Sequence, residues 1–238
     1  IPTSMNVPIL SHKTEKFWVT EFLNSAPEIS FLSHQHQLNS SQNTPQITSI
    51  PKLLQEQLKR FSKEPGTLIN TLLTAFLVYF YRLNHYKNVS VEFSHEELKQ
   101  THSEFKHFLS DYVPFTSLFE REMTFKQALQ LVSDTCFRLR QNKTFTKDLL
   151  ARYPELSESI HAIKVGITFM DKAQFAVYSN DKHKPLHIYC CEEGTGFYIH
   201  YQALNSTQAL SYAFLEHMSE HLLTLLEDAL NHPHKKLY

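Results

Sequence analysis

Residues 68–85 constrain this chain more than any other stretch. Ile69, Leu72, Leu73, Phe76, Phe80 and Leu83 recur at helical spacing, and the remaining faces are apolar as well. A helix that is apolar all round has to be covered on every side. A membrane would cover it, but residues 68–83 include Asn70, Thr71 and Thr74 and are too short to span a bilayer comfortably. The reading is therefore a core helix inside a globular domain. With 42% apolar and 13% aromatic residues, the 238-residue chain has the material to bury it.

The other segments supply what such a helix packs against. Residues 14–25 carry Phe17, Trp18, Phe22 and Leu23 on one helical stripe. Residues 30–48 are rich in Ser, Gln, Asn and His and read as a loop with at most one short strand. Pro51 suits a first helical position, Leu54, Leu58 and Phe61 mark a buried face, and Pro65-Gly66 reads as the stop. Thr124 and Gln127 form a capping box ahead of Ala128, Leu129, Val132, Cys136 and Leu139. Residues 207–231 form a closing amphipathic helix, with Leu210, Phe214, Met218, Leu222, Leu225 and Ala229 inward and Pro233 as its stop.

Strand patterns interleave with these helices. Val89, Val91 and Phe93 alternate with polar residues, and so do Ile163, Val165, Ile167 and Phe169. Residues 112–121 read as a strand in which Pro114, lacking an N–H, implies an edge or a bulge. Residues 186–191 and 197–201 flank Glu193-Gly194-Thr195-Gly196 and predict a hairpin. The expected fold class is α/β, with helices packed against a mixed sheet.

Several function classes drop out. Lys and Arg number 23 against 24 Asp and Glu, so the chain lacks the basic balance of a nucleic-acid binder or of electrostatic attachment to an anionic membrane. Four glycines cannot assemble a phosphate-cradling loop, and no Gly-x-Ser-x-Gly elbow occurs. The first residues lack the basic start and apolar run of a signal peptide, and an Ile at position 1 suggests a piece of something longer. Three cysteines make no disulfide framework. Cys190 and Cys191 point to opposite faces of a strand, which predicts a reducing, cytoplasmic setting.

Individual candidates are weighed against ordinary packing. His217-Met218-Ser219-Glu220-His221 matches a short zinc pattern, yet it lies on the polar side of the closing helix and no third ligand can be named, so no metal is expected. The pairs His34/His36 and His232/His234 read as solvated loop residues. Cys136 belongs to an apolar helix face and reads as a core residue. Asp171 follows a strand end, where cleft residues and turn formers both occur. Arg138, Arg140 and Lys143 form a small basic patch suited to a solvated face or an acidic partner.

Taken in order, these segments resemble the C-terminal half of a condensation domain of nonribosomal peptide synthetases. Phe17-Trp18 stands where that family has an aromatic-Trp pair. Residues 68–83 followed by Val89-Ser90-Val91 resemble its long core helix and next strand. Residues 109–118, Leu-Ser-Asp-Tyr-Val-Pro-Phe-Thr-Ser-Leu, resemble its line Ile-Gly-x-Phe-Val-Asn-Thr. Residues 124–141 and then Phe145 resemble the helix leading to its Gln-x-x-Pro-Phe motif, and Val165-Gly166-Ile167-Thr168-Phe169, the hairpin and the closing helix follow in order. The chain is divergent: Ser110 stands for the usual Gly, Pro114 for Asn, Phe119 near an expected Arg, and Arg140 and Thr144 for the usual His and Pro.

The resemblance implies a chloramphenicol-acetyltransferase-like, two-layer sandwich lobe over residues 14–238, preceded by a linker over 1–13. The family's catalytic His-His-x-x-x-Asp-Gly belongs to the N-terminal lobe and is absent from this sequence, so no catalytic residue is expected in this chain. What it implies for this half is a tunnel wall and lobe interface formed by Ser110, Asp111, Tyr112, Pro114, Thr116, Thr168, Phe169 and Asp171. It also implies carrier docking at Arg138, Arg140 and Lys143. The implied partners are the N-terminal lobe and a peptidyl or aminoacyl carrier domain, whose phosphopantetheine arm brings the substrate. No cofactor is expected on the chain itself. The implied reaction of the whole is amide formation from carrier-bound thioesters. An inactive docking module, an epimerisation domain and an ester-forming acyltransferase are the alternatives, and the chain is not expected to be active alone.

Overall fold

Alternating and helix-period segments settle into six strands and eight α-helices in the computed structural model, which describes residues 12–25, 29, 46–63, 66–84, 87–99, 107–178, 184–193, 196–203, 210 and 212–238. The strands are β1 (Gln46–Ser49), β2 (Asn88–His95), β3 (Val113–Leu118), β4 (Val165–Asp171), β5 (Leu186–Glu193) and β6 (Gly196–Ala203). The helices are α1 (His12–Leu23), α2 (Lys52–Phe61), α3 (Thr67–Asn84), α4 (Phe125–Asn142), α5 (Asp148–Arg152), α6 (Leu156–Ala162), α7 (Lys172–Tyr178) and α8 (Tyr212–Asn231). The strands form one mixed sheet in the order β1-β6-β5-β4-β2-β3. β4 runs parallel to both β2 and β5, and the other neighbours are antiparallel. Parallel neighbours need crossover connections, and α7 supplies the one between β4 and β5.

One face of the sheet carries the main core. Val91 and Phe93 of β2, Phe115 of β3, Val165 and Ile167 of β4, Ile188 of β5 and Ile199 and Tyr201 of β6 are buried there with Leu58, Phe76, Phe80, Val132, Leu139 and Leu226 from the helices. Each fully buried apolar side chain of this size contributes roughly 1.5–3 kcal/mol. The α3 helix sits deepest, in contact with α4, α8 and β2. Its polar residues Asn70, Thr71 and Thr74 are buried: Asn70 Nδ2 donates to Ser133 Oγ at 3.1 Å while Asn70 Oδ1 has no partner, and the Thr71 and Thr74 hydroxyls donate to the carbonyls of Thr67 and Asn70. Among the described residues no helix is long and apolar enough to cross a membrane.

Sequence and structure differ mainly at boundaries. The first helix begins at His12 and ends at Leu23, because exposed His12 and Lys13 carry no apolar signal. Pro51 is extended (ψ 140°) and caps α2 rather than opening it. That helix stops at Ser62, and Gly66 (φ 80°) instead leads into α3. The strand expected over 112–121 is shorter at both ends. Ser110 turns the chain at Tyr112, and Phe119 N donates to the Lys87 carbonyl as the chain leaves the sheet. Both hairpin strands run longer than expected, β5 by two residues at the tip and β6 by one at the tip and two at its end. Residues 1–11, most of 30–48, Pro65, His85, Gly194 and the expected helix start at Thr207 lie outside the described residues.

The last residues clasp the start of α4. Lys126 N and Phe125 N donate to the carbonyls of Pro233 and Lys235, Leu237 N donates to the Met123 carbonyl, and Leu237 is buried. The Thr124–Gln127 capping box expected at this helix start is present in both directions.

Candidate functional site

The two stretches that most resemble family motifs meet in space. Ser110 N donates to the Phe145 carbonyl at 2.8 Å, and the Thr144 hydroxyl donates to the Ser110 carbonyl at 2.6 Å. Lys147 N donates to the Phe108 carbonyl at 2.8 Å, and Leu109 bridges Thr146. Phe145 in turn packs on Trp18 (5.5 Å) and Phe22 (5.2 Å) of α1, which ties the aromatic-Trp pair to the same place. From here β3 runs along the outer edge of the sheet, so the expectation from Pro114 of an edge strand is met.

Exposure along this line is uneven. Asp111 is exposed and lies 3.8 Å from Lys147, while Ser110, Tyr112 and Thr116 are half-buried. Pro114 is buried, and Phe108 and Leu118 at either end are 49% and 52% exposed. Thr168 and Phe169 do not act together, because they alternate across β4. Phe169 joins the main core, 6.1 Å from Phe93, and Thr168 lies on the opposite face. β4 is an interior strand, and both of its faces along residues 165–169 are covered by this chain. Asp171 is exposed and accepts from Gln174 N at 2.8 Å, which makes it the turn former at the start of α7.

Opposite the main core, the sheet carries a polar and aromatic row that sequence reading missed. His187 is 2% exposed and shares a hydrogen bond of 2.9 Å with the Thr168 hydroxyl. Its ring lies flat on Tyr189 (4.2 Å, 9° between planes) and meets the Tyr112 ring at 5.4 Å. Gly166 makes room for it, since a Cβ there would lie 2.8 Å from an imidazole carbon. Beside it Lys184, also buried, pairs with Glu92 at 2.8 Å and donates to the carbonyls of Ile160 and Ile163. On β6, burial holds the His200 imidazole below the usual histidine range, and Lys172 pushes the same way.

The three basic residues divide between two places, Arg138 toward α1 and Arg140 with Lys143 at Glu97, and each is already engaged. Arg138 is half-exposed, pairs with Glu21 at 3.3 Å and lies over the Phe17 ring. Arg140 pairs with Glu97 at 2.5 Å, and Lys143 Nζ donates to the Glu97 carbonyl at 2.9 Å. Lys143 has φ 58° and ψ −154°, a backbone region nearly reserved for glycine that costs about 1–3 kcal/mol for other residues. Burial also holds His95, which accepts from Glu97 N, below the usual histidine range, against the pull of Glu97.

Other candidates take ordinary places. Cys136 is buried in the core, and desolvation pushes its thiol up to about 12. Cys190 and Cys191 are buried free thiols on opposite faces of β5. His217 and His221 are exposed on the polar side of α8, with ring centroids 6.5 Å apart. Among the described residues no group of three or more His, Cys, Asp or Glu is placed to hold a metal ion.

Comparison with solved structures places this geometry. A four-domain nonribosomal peptide synthetase bound to AMP and glycine matches 97% of this chain with a TM-score of 0.73 at 11% identity, over 20% of its own length. The condensation domain of the monacolin K polyketide synthase MokA matches 95% of the chain (TM-score 0.68, 13% identity), over 58% of its length. The X-domain from teicoplanin biosynthesis matches 98% (TM-score 0.69, 10% identity), over 57% of its length. No protein-family model and no curated protein matches the chain. The chain thus has the fold of nonribosomal peptide synthetase condensation domains, the α/β, chloramphenicol-acetyltransferase-like arrangement. It spans a little over half the length of the separate domains it matches, consistent with a C-terminal lobe.

Proposed function

We propose that this chain is the C-terminal lobe of a condensation-type domain and forms one wall of the tunnel in which amides are made from carrier-bound thioesters. The observation that carries the reading is coverage: nearly all of this chain is similar to about half of such domains. The motif-like stretches 109–118 and 144–146 joining at one sheet edge support it further. The meeting line with the N-terminal lobe is assigned to β3 and its approach, through Ser110, Asp111, Tyr112 and Thr116, with Phe108 and Leu118 as apolar contacts. Pro114 lies beneath that line. Thr168 sits behind Tyr112 on the same sheet face, Asp171 turns the chain into α7, and Phe169 supports the wall from the core.

In the proposed reaction the acceptor amine attacks the thioester carbonyl. A C–N bond forms, the C–S bond breaks, and the carrier thiol leaves with a proton. The proton-transfer histidine would come from the partner lobe, because imidazole suits that role near neutral pH. Arg138 and Lys143 are the outward cations offered to a carrier domain, while Arg140 holds Glu97 in place. The phosphopantetheine arm belongs to that carrier and arrives as part of the substrate. Three free thiols support a reducing, cytoplasmic setting. Mass spectrometry of carrier-bound product tests the reading. The chain alone is expected to give no amide, and the chain together with a lobe bearing the His motif is expected to give it. Turnover by the chain alone would overturn the proposal, and a stable pair without turnover would make this a docking module instead.

A further inference from the structure

The second face of the sheet carries a continuous run of rings. Tyr112 meets His187 at 5.4 Å, His187 stacks on Tyr189 at 4.2 Å, Tyr189 meets Phe175 at 5.3 Å, and Phe175 lies 4.2 Å from His200. The run starts beside β3 and ends on β6, crossing four strands. It can do so because the positions between are small. Ser94 pairs with Thr168, and Thr168 pairs with Tyr189, in one cross-strand row. Gly166, in the next row, lets the His187 ring lie against the backbone. Tyr112 therefore reaches over β2 and β4 to a ring on β5.

Phe175 is the only member of this run that does not belong to a strand or its immediate approach. It sits on α7, a two-turn helix fastened at its first turn by Asp171, which accepts from Gln174 N, by the Lys172–Glu193 ion pair at 2.5 Å, and by the Gln174 amide donating to Glu96 at 3.1 Å. The polar fastenings are exposed, whereas Tyr189 beneath Phe175 is fully buried. Packing of the ring, and not the surface ion pair, is what seats the helix.

We propose that α7 is a strap whose seating on Tyr189 and His200 sets the position of Tyr112 and of residues 109–116. When Phe175 is seated, Tyr189 and His187 are held in one stack and Tyr112 is braced against its end. When Phe175 lifts, the stack loses its cover and Tyr112 loses its stop. The coupling is a property of this chain alone and stands apart from the lobe assignment.

Amide hydrogen exchange on the 238-residue chain tests it without any partner lobe. Phe175→Ala is expected to raise exchange at residues 109–116 by roughly two- to tenfold, the range that one ring pair supports. Lys172→Ala, which removes only the exposed ion pair, should leave that region within about twofold. Coupling is reciprocal, so Tyr112→Leu should raise exchange across residues 172–178. If Phe175→Ala fails to fold, Phe175→Leu and the Tyr112→Leu arm carry the test. Loss of protection in 172–178 with 109–116 unchanged, or Tyr112→Leu leaving 172–178 unchanged, would overturn the strap.

Discussion

A single missing Cβ decides how the second sheet face is built. Gly166 has an ordinary strand conformation, so its role is one of space: the His187 ring occupies the volume a methyl group would need. Gly166→Ala should cost about 1–3 kcal/mol by overpacking. Removing the ring should relieve that cost, so the Gly166→Ala/His187→Ala pair should be clearly non-additive in urea denaturation. Additive losses would show that the glycine is tolerated for another reason. None of this was legible beforehand. Gly166 and His187 come together only through the parallel β4–β5 register, which no local pattern discloses. Arg140 and Glu97 are a similar case, since their ion pair joins the end of one long helix to a turn after β2. Cys136, by contrast, was legible because helical spacing alone puts it on a buried face.

At the scale of elements, legibility followed length and chemistry. The α3 helix was evident because it is apolar all round, the α4 start because Thr124 and Gln127 satisfy each other's backbone, and β3 as an edge because Pro114 cannot donate. The short helices α5, α6 and α7 were missed, being too brief to show a period. Alternation in β4 was read correctly, but the strand lies inside the sheet and side chains of this chain bury both of its faces, so alternation did not mean one open side. The strand ends also set a pH response. His95 at the end of β2 and His200 in β6 both have imidazole pKa values lowered first by burial. The unfolded chain, with ordinary histidines near about 6.5, then takes up protons before the folded one does. Stability present above that pH should be lost as pH falls through it toward the lowered folded values. Urea midpoints at about pH 7.5 and about pH 5.5 check this. The drop should shrink in His95→Asn/His200→Asn, and an undiminished drop would assign it to other groups.

On the scale of the whole molecule, the helices and one sheet make the core, while the line proposed to meet a partner lobe lies at a sheet edge. Exposed Phe108 and Leu118 bracket the line of Ser110, Asp111, Tyr112 and Thr116 at that edge. A strand edge that pairs with no other strand among the described residues, and that has apolar ends, is a surface that a second lobe can cover. The order of motif-like stretches was legible in the sequence, and so was the half-length fold they imply. Their convergence at residues 110 and 144–146 was not, since it depends on tertiary hydrogen bonds. After β4 the chain stays with its own sheet, since α7 packs back on β4 and β5.

The most direct test of the account is therefore hydrogen exchange on this chain with and without a condensation-type N-terminal lobe supplied in trans. The account predicts a one-to-one complex with new protection along residues 108–118 and little change at β4, which is already covered on both faces. Mixing that leaves exchange along 108–118 unchanged would contradict it, because the edge assigned to the partner lobe would then meet nothing.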